Sequence, residues 1–442
     1  MIEERFFHGI WRFCPDPDNL GLSQQWMLKE NQPYLEEKTR IFVPSCWNRI
    51  NSLNFTDYTG VAWYWRVFRV PSHCQDHPTK ILFEGIAHFA QIFVDGKEIG
   101  AFSGGFLPFE VDISEFIDNH EHFLAVRVDN SLESRRSPPL PNVNNYGGIF
   151  KPVKMVSEED IIVEERSIET LLNFNEVNGK IRNAELTLSL YLKNRRDFDI
   201  KGDLRIVISR DYVPIIKIRK ELEILKNNSR LSKTLIHIEG EDLDLWTPDN
   251  PFLYNFKIIC SNEEFGEIFR IEDIIGIREI EVTSESFLLN NKKINLKGII
   301  FPLDLPEYGY SIPPFIIHDM LCKVKTKGYN IIRPNQGVFD RTIIELASRI
   351  GLLVINDIPI ISLTLLEKQK YFNLFANSIT FLPALAFYSV NPAIDLTNHQ
   401  IRKDFDDIQK LFTNRLDPSR YMLDRGTFGV EKWDDWQIIS QN

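Results

Sequence analysis

The chain has 442 residues, of which 43% are hydrophobic and 12% aromatic, and it carries a formal net charge of −11 at pH 7. This length is too great for a single core and suggests about three domains. The acidic balance argues against a nucleic-acid partner, because binding of that kind depends on Lys and Arg side chains that neutralise phosphates.

The N-terminal sequence lacks the features of a leader peptide. Glu3 and Glu4 stand where a signal peptide needs basic residues, and no apolar segment follows. No apolar run reaches the roughly 18 to 20 residues that spanning a bilayer needs, so we expect no contact with a membrane. The 5 Cys residues form no CxxC pair and no His lies near other ligands at metal spacing, so we expect a cytoplasmic protein without a metal or cofactor.

Residues 1–157 read as short strands separated by turns. Val61–Val70 is apolar on both faces, and Phe123–Asn130 alternates between apolar and polar residues. Asp95-Gly96 lies between two apolar runs, a pattern that predicts a hairpin with a type I′ turn. Many short strands without helical periodicity predict a jelly-roll sandwich for this first domain.

Residues 158–280 repeat this style at a smaller size. The segments "ELTLSLYL", "DLRIVISR", "SKTLIHI" and "LYNFKIIC" read as strands of seven or eight residues, joined by polar connections. A segment of this length and pattern predicts an immunoglobulin-like β-sandwich, although the Cys and Trp spacing of antibody domains is absent.

Residues 281–442 change to alternating strands and helices. Amphipathic helices ending at Gly328 and Gly351 separate apolar strands, and a fifth strand is expected at "YMLDRG". Alternation of this kind predicts a parallel sheet built of βα units. With four to five units, the third domain is predicted to be an incomplete TIM-type (β/α) barrel. The fold class is therefore multidomain, β plus α/β.

Several phrases, taken in order, resemble those of one known family. The phrases "GIWRFCPDPDNLG", "YTGVAWYWRVFRVP", "LAVRVDN" and "NYGGIFKPV" resemble the sugar-binding jelly roll of glycoside hydrolase family 2, the β-galactosidase and β-glucuronidase family. The phrases "LWTPDNPFLY" and "GIREIEV" resemble the end of its immunoglobulin-like domain, and "LLNNKKINLKGI" and "GLLVINDIP" the start of its catalytic barrel. The resemblance implies the fold of a retaining β-glycosidase.

The resemblance also implies that the general acid/base of this family is lost here. In the family, the fourth barrel strand ends in a catalytic Glu. Residues 383–390 follow the strand pattern, after which Asn391 falls on a Gly, Pro392 on an Asn and Ala393 on the Glu. The phrase at Leu416–Arg420 supports this register. Retaining glycosidases need two carboxyls about 5 to 5.5 Å apart, and a methyl group cannot protonate the leaving oxygen.

Two acids are weak substitutes for the missing Glu. Asp395 follows Ala393 by two residues, and Asp424 lies at the expected fifth strand; a solvated loop Asp and a surface ion pair are the simpler interpretations. The family's nucleophile lies on the seventh strand. Residues 281–442 number 162, whereas a complete barrel needs about 250, so we expect no seventh strand and assign no catalytic residue.

The family's sugar-contacting positions are only partly kept. Its Arg and His after the first barrel strand correspond to Phe301 and Pro302 here, and its jelly-roll Arg corresponds to Lys151. The polar residues predicted to line the cleft between jelly roll and barrel, and so to bind substrate, are Asn142, Asn145, Arg333, Asn335, Asp357 and Asn391.

Two functions remain open from the sequence. The first is a non-catalytic protein that binds a β-glycoside or oligosaccharide, or that has become an interaction module. The alternative is an active β-glycosidase that uses displaced carboxylates or is completed by a second chain. Because a half barrel leaves strand edges unpaired, we also predict a homo-oligomer or a second chain that covers them. Trp433 and Trp436 in the tail are expected either to cover the open end or to dock on a partner.

Overall fold

The structure is a computed structural model with two antiparallel β-sandwiches followed by a parallel sheet with helices, which confirms the expected fold class. The boundaries at 157/158 and 280/281 stay predictions. The residues described are 4–33, 40–50, 55–70, 77–118, 120–131, 144–158, 160–175, 177–282, 286–360, 364–423 and 433–436.

The first sandwich has a six-stranded sheet in the order β3-β2-β4-β10-β7-β8, a four-stranded sheet in the order β1-β12-β5-β9, and a small β11-β6 pair. Its strands are β1 (Glu4–Phe6), β2 (Gly9–Asp16), β3 (Arg40–Val43), β4 (Val61–Phe68), β5 (Thr79–Phe83), β6 (Ile86–Ala87), β7 (Phe89–Val94), β8 (Lys97–Ser103), β9 (Phe109–Asp112), β10 (His122–Asp129), β11 (Gly148–Ile149) and β12 (Val153–Ser157).

The hairpin predicted at Asp95-Gly96 is confirmed. β7 pairs antiparallel with β8, and the two residues between them have φ of +50° and +83°. Both values are positive, as a type I′ turn requires, and this is why Asp and Gly are favoured there. The apolar inner faces of the two sheets form one core, which continues without a break into the parallel sheet of the third domain.

His122, at the start of β10, lies between two carboxylates of this domain. Its Nδ1 is 2.6 Å from Asp95 Oδ2 and its Nε2 is 2.8 Å from Asp118 Oδ1. Burial lowers the pKa of His122, but the hydrogen bonds with the two carboxylates outweigh burial and leave the pKa raised above 6.5. A backbone hydrogen bond from His120, together with His122, lowers the pKa of Asp118 to about 2.

We expect this arrangement to make stability depend on pH. A raised His pKa gives stabilisation that is fully present below the unfolded pKa of about 6.5 and is lost as pH rises through the folded pKa. The difference in unfolding free energy between the wild type and His122→Gln should therefore shrink from about pH 6 to about pH 9, as measured by urea titration. A difference that stays constant over this range would contradict the assignment of charge to His122.

The second sandwich packs a three-stranded sheet, in the order β13-β14-β17, against a four-stranded sheet, in the order β16-β15-β18-β19. Alternate residues of these strands are buried, as expected of sheets with one face in the core. The strands are β13 (Ile161–Phe174), β14 (Ile181–Asn194), β15 (Ile200–Arg210), β16 (Val213–Ile224), β17 (Ser229–Glu239), β18 (Tyr254–Asn262) and β19 (Gly266–Ile275).

A three-stranded sheet, β20-β21-β22, leads into a six-stranded parallel sheet in the order β27-β26-β25-β24-β23-β28. The elements in chain order are β20 (Ile280–Val282), β21 (Phe287–Leu289), β22 (Lys292–Lys293), β23 (Gly298–Phe301), α1 (Pro314–Thr326), β24 (Ile331–Pro334), α2 (Arg341–Ile350), β25 (Leu353–Asp357), α3 (Leu365–Ile379), β26 (Leu385–Ser389), α4 (His399–Leu411), β27 (Tyr421–Met422) and β28 (Trp433–Asp435). Short helical turns lie at Lys29–Asn31, Trp47–Arg49, Ser114–Phe116, Gly240–Asp242 and Phe412–Leu416.

The helix ends carry the signals that the sequence contains. The Asp340 side chain accepts a hydrogen bond from the Ile343 amide at the start of α2, and Gly351 ends that helix with φ of +86°. Thr364 and Glu367 form a reciprocal capping box at the start of α3. Each helix follows a buried apolar strand, and this order produces the parallel βα units that the sequence predicts.

The tail adds a strand to the parallel sheet. β28 pairs parallel with β23, matching Trp433 with Gly298, and Tyr329 donates a 2.8 Å hydrogen bond to Asp434. The ring of Trp436 packs 5.6 Å from that of Phe301. The tail therefore covers one edge of the sheet, which was one of the two roles expected of these tryptophans. Among the described residues, no helix is long and apolar enough to cross a membrane.

Candidate functional site at the barrel mouth

The carboxyl ends of β23, β24, β25 and β26 meet at one edge of the parallel sheet, called the barrel mouth below. In barrels of this kind, side chains at that edge form the site. The jelly roll closes over this edge: Asn144 donates a 2.7 Å hydrogen bond to Asp304, and Lys151 pairs with Asp340. The predicted cleft between the first and third domains therefore has both of its walls on this chain.

Arg333 and Asp357 form a buried ion pair below the mouth. Arg333 Nε lies 2.9 Å from Asp357 Oδ2 and Nη2 lies 2.8 Å from Oδ1. Arg333 also donates to the Val390 carbonyl, at 2.5 Å, and so ties the ends of three strands together. Burial raises the pKa of the Asp357 carboxyl, and the Arg333 charge opposes that shift. Both side chains are at most 3% exposed, which favours a positioning role; ligand contact by either remains a prediction.

Asp304, which the sequence interpretation missed, is the centre of the mouth. Its carboxylate accepts hydrogen bonds from three side-chain amides: from Asn144 at 2.7 Å, from Gln336 at 3.0 Å and from Asn335 at 3.2 Å. It is only half-buried, so a ligand can reach it. Its position could have indicated this role: Asp304 is the first acid after β23, and barrel strands present functional side chains at that end.

Ala393 lies in a turn that follows β26. The Asn391 side chain accepts a 3.0 Å hydrogen bond from the Ala393 amide and donates a 3.3 Å hydrogen bond to the Asn335 carbonyl. Asn391 therefore closes a turn and links it to the neighbouring strand end. Ala393 itself is exposed, with a methyl group at the position that the resemblance assigns to the general acid.

Asp395 is poorly suited to replace that acid. It is exposed, and its carboxylate accepts hydrogen bonds from the Thr397 hydroxyl at 2.6 Å and the Thr397 amide at 2.9 Å. These bonds lower the pKa of Asp395 below its usual value of 3.8. A general acid needs a pKa near the working pH, so a lowered pKa is a shift in the wrong direction.

Asn145 lies on the jelly-roll wall. It is linked to His88 by a 2.9 Å contact between its Oδ1 and the ring Nε2, and it donates a 2.8 Å hydrogen bond to the Asn130 carbonyl. Phe106 packs directly over Gly337 on the barrel side, where a side chain at residue 337 would lie within 2.6 Å of the ring. A glycine is required there because the two domains approach each other this closely.

The described residues among the predicted site residues thus form three separate groups and not one cluster. Asn335 and Asn391 touch directly, Arg333 and Asp357 form the ion pair beneath them, and Asn145 stands on the opposite wall. Asn142 and Asp424 lie outside the described residues. The positions of the family's Arg and His are apolar and buried here: Phe301 packs 6.0 Å from the Phe339 ring and 5.6 Å from Trp436.

Comparison with known proteins agrees with this architecture. Residues 5–158 match the model for "Glycosyl hydrolases family 2, sugar binding domain". The β-glucuronidase of Paenibacillus borealis is 24% identical over 381 residues, covering 80% of this chain and 59% of that protein. The β-glucuronidase of Streptococcus agalactiae is 28% identical over 370 residues, covering 80% of this chain and 57% of that protein.

A similar structure is that of a Bacteroides uniformis β-glucuronidase. It superposes with a TM-score of 0.77 at 18% identity, over 96% of this chain and 52% of that one. At 18% sequence identity, this similarity shows a shared fold and no more. The chain thus spans between 52% and 59% of the length of these three relatives. Residues 5–158 thus match the sugar-binding domain of glycosyl hydrolase family 2, and the chain as a whole is similar to β-glucuronidases in sequence and in fold.

Proposed function

We propose that this chain binds a carbohydrate at the barrel mouth without hydrolysing it. The observation that carries the proposal is the exposed methyl group of Ala393 at the acid/base position, beside an Asp395 whose pKa is shifted downwards. Retaining hydrolysis needs one carboxyl that stays protonated long enough to donate to the leaving oxygen.

The mouth nevertheless keeps groups that recognise sugars. The Asp304 carboxylate offers acceptor capacity to hydroxyl groups, and it is oriented by three amides from both walls. Asn391 and Asn335 stand beside it on the barrel side. Small-molecule sites typically contain a few polar groups that are fixed in position, and the hydrogen bonds around Asp304 hold its carboxylate in this way.

The test is a thermal-shift screen with glucuronate, which reflects the names of the relatives above, and with galactose and galacturonate for comparison. A sugar at 100 times its dissociation constant should stabilise the chain by about 2.7 kcal/mol. Asp304→Asn should abolish the shift because it removes the charge and puts an NH2 donor where Asn335 and Gln336 already donate. Asp319→Asn, an exposed change on α1, should leave the shift intact. Equal shifts in the two variants would contradict a site at Asp304.

The absence of hydrolysis is tested separately, with nitrophenyl β-galactoside and nitrophenyl β-glucuronide as substrates. We expect no turnover by the purified chain. Turnover that disappears in Asp395→Ala would instead establish the displaced-carboxylate alternative, and turnover that persists in Asp395→Ala and Asp424→Ala would contradict the non-catalytic proposal unless a contaminant is responsible. Turnover gained only on adding a second polypeptide would favour a completed enzyme. Self-association remains a prediction, to be measured by sedimentation.

A further inference from the structure

A second groove lies at the opposite end of the parallel sheet from the mouth. It runs between the second sandwich and the amino ends of β23 and β24, and it has a volume of about 1500 Å³. One wall comes from the turn that joins β13 and β14, and the other from β22 and the loop after α1. Nothing in the proposed function uses this groove.

The charge of the groove is opposite to that of the chain. Among the described residues, it is lined by five cations, Lys180, Arg182, Lys292, Lys293 and Lys325, and by two acids, Glu239 and Asp249. The groove is therefore net positive by three charges, whereas the chain as a whole carries −11. A concave surface whose charge opposes that of the rest of the molecule concentrates anions locally.

Most of these cations are available to a ligand. The side chains of Lys180, Arg182, Lys292 and Lys293 are exposed and make no hydrogen bond or ion pair with any described residue. Lys325 differs, since its Nζ donates to the Pro248 carbonyl at 2.6 Å and to the Gly351 carbonyl at 2.9 Å. Burial lowers its pKa, and it forms a fixed part of the groove floor.

The neutral lining indicates what kind of anion fits. Amide and hydroxyl side chains (Thr247, Asn250 and Asn330) and the half-buried ring of Phe174 also line the groove. Sugar hydroxyls bond to groups of the first kind, and sugar faces pack on rings. The groove cations are four lysines and one arginine, so most of them are compact point charges that can pair with carboxylates.

We propose that this groove binds a short acidic oligosaccharide through its carboxylates. The ligand spans both walls, pairing with Lys292 and Lys293 on the barrel side and with Lys180 and Arg182 on the sandwich side. This site is independent of the one at Asp304, because the two lie at opposite ends of the strands.

The probe is tetragalacturonate, and maltotetraose is its neutral counterpart. Binding is measured by titration at about 0.15 M ionic strength, where exposed charges more than about 8 Å apart are largely screened. Lys292→Glu/Lys293→Glu should weaken tetragalacturonate binding at least tenfold. The matched control, Lys217→Glu/Lys403→Glu, makes the same change in net charge at exposed lysines outside the groove and should leave binding unchanged.

A second variant keeps the test valid if the first folds poorly. Lys180→Glu lies on the other wall and should weaken binding on its own, whereas Lys217→Glu, outside the groove, should not. Equal losses in the groove variant and the matched control would overturn the proposal, as would the absence of tetragalacturonate binding. Tighter binding of a sulfated tetrasaccharide, an eight-nucleotide DNA strand or hexaglutamate would overturn the assignment to a carboxylate sugar.

Discussion

Replacing Asp357 with Ala is expected to lower the free energy of unfolding by about 3 to 5 kcal/mol. The substitution leaves the Arg333 guanidinium 1% exposed and without the forked contact that compensates its burial. The Val390 carbonyl and the Ser389 hydroxyl, which also accept hydrogen bonds from Arg333, carry no full charge. Urea unfolding followed by tryptophan fluorescence would measure the loss.

The matching control removes both charges. Burial raises the pKa of Asp357, which means that its ionised form is less favourable in the fold than in water. We therefore expect Arg333→Met/Asp357→Leu to unfold within about 1 kcal/mol of the wild type or to be more stable. A double variant as unstable as Asp357→Ala would contradict the view that the unpaired charge is what destabilises the single variant.

Asp273→Ala is expected to cost a similar amount, about 3 to 5 kcal/mol, and to weaken the joint between the second sandwich and the barrel. Asp273 is 1% exposed and receives Arg166 from β13 at 2.9 Å and Arg341 from α2 at 2.6 Å. Without this carboxylate, the largely buried guanidinium of Arg166 loses its charged partner and stays close to that of Arg341, which is 35% exposed. Burial already lowers the pKa of Arg166.

The control for this variant is Asp203→Ala on the same sandwich. Asp203 pairs with Arg219 at 2.7 Å, but the Arg219 side chain is 79% exposed. Exposed ion pairs contribute about 0 to 1 kcal/mol to stability, so Asp203→Ala should change the free energy of unfolding very little. Two separate unfolding transitions in Asp273→Ala, against one in Asp203→Ala, would show that the network couples the domains. Equal stability of the two variants would contradict the assignment.

Local sequence patterns were sufficient to predict most of the fold. Asp95 and Gly96 favour positive φ, and Gly351 ends α2 with a left-handed residue, so turn and cap could be predicted from the residues themselves. The strands β24, β25 and β26 are buried along their whole length and begin with apolar residues, as expected of parallel strands covered on both faces. These signals act over a few residues.

The site was predicted less completely, because its contacts join distant parts of the chain. The bonds from Asn144 and Asn335 to Asp304 cross 160 and 31 residues respectively. No short phrase contains them, and Asp304 was therefore missed. Arg333 and Asp357 were identified, but their burial as a pair depends on how three strand ends pack.

The sequence by itself determined the order of the two sandwiches and the parallel sheet. It also determined the positions of turns and helix caps and the methyl group at Ala393. Each of these depends on the identity and spacing of neighbouring residues. The tertiary structure alone decided that the tail pairs with β23, that Asp304 gathers amides from both walls, and that the lysines of two domains face one groove. Those features depend on packing between segments far apart in sequence, where the free energy of contact, and not local preference, selects the partner.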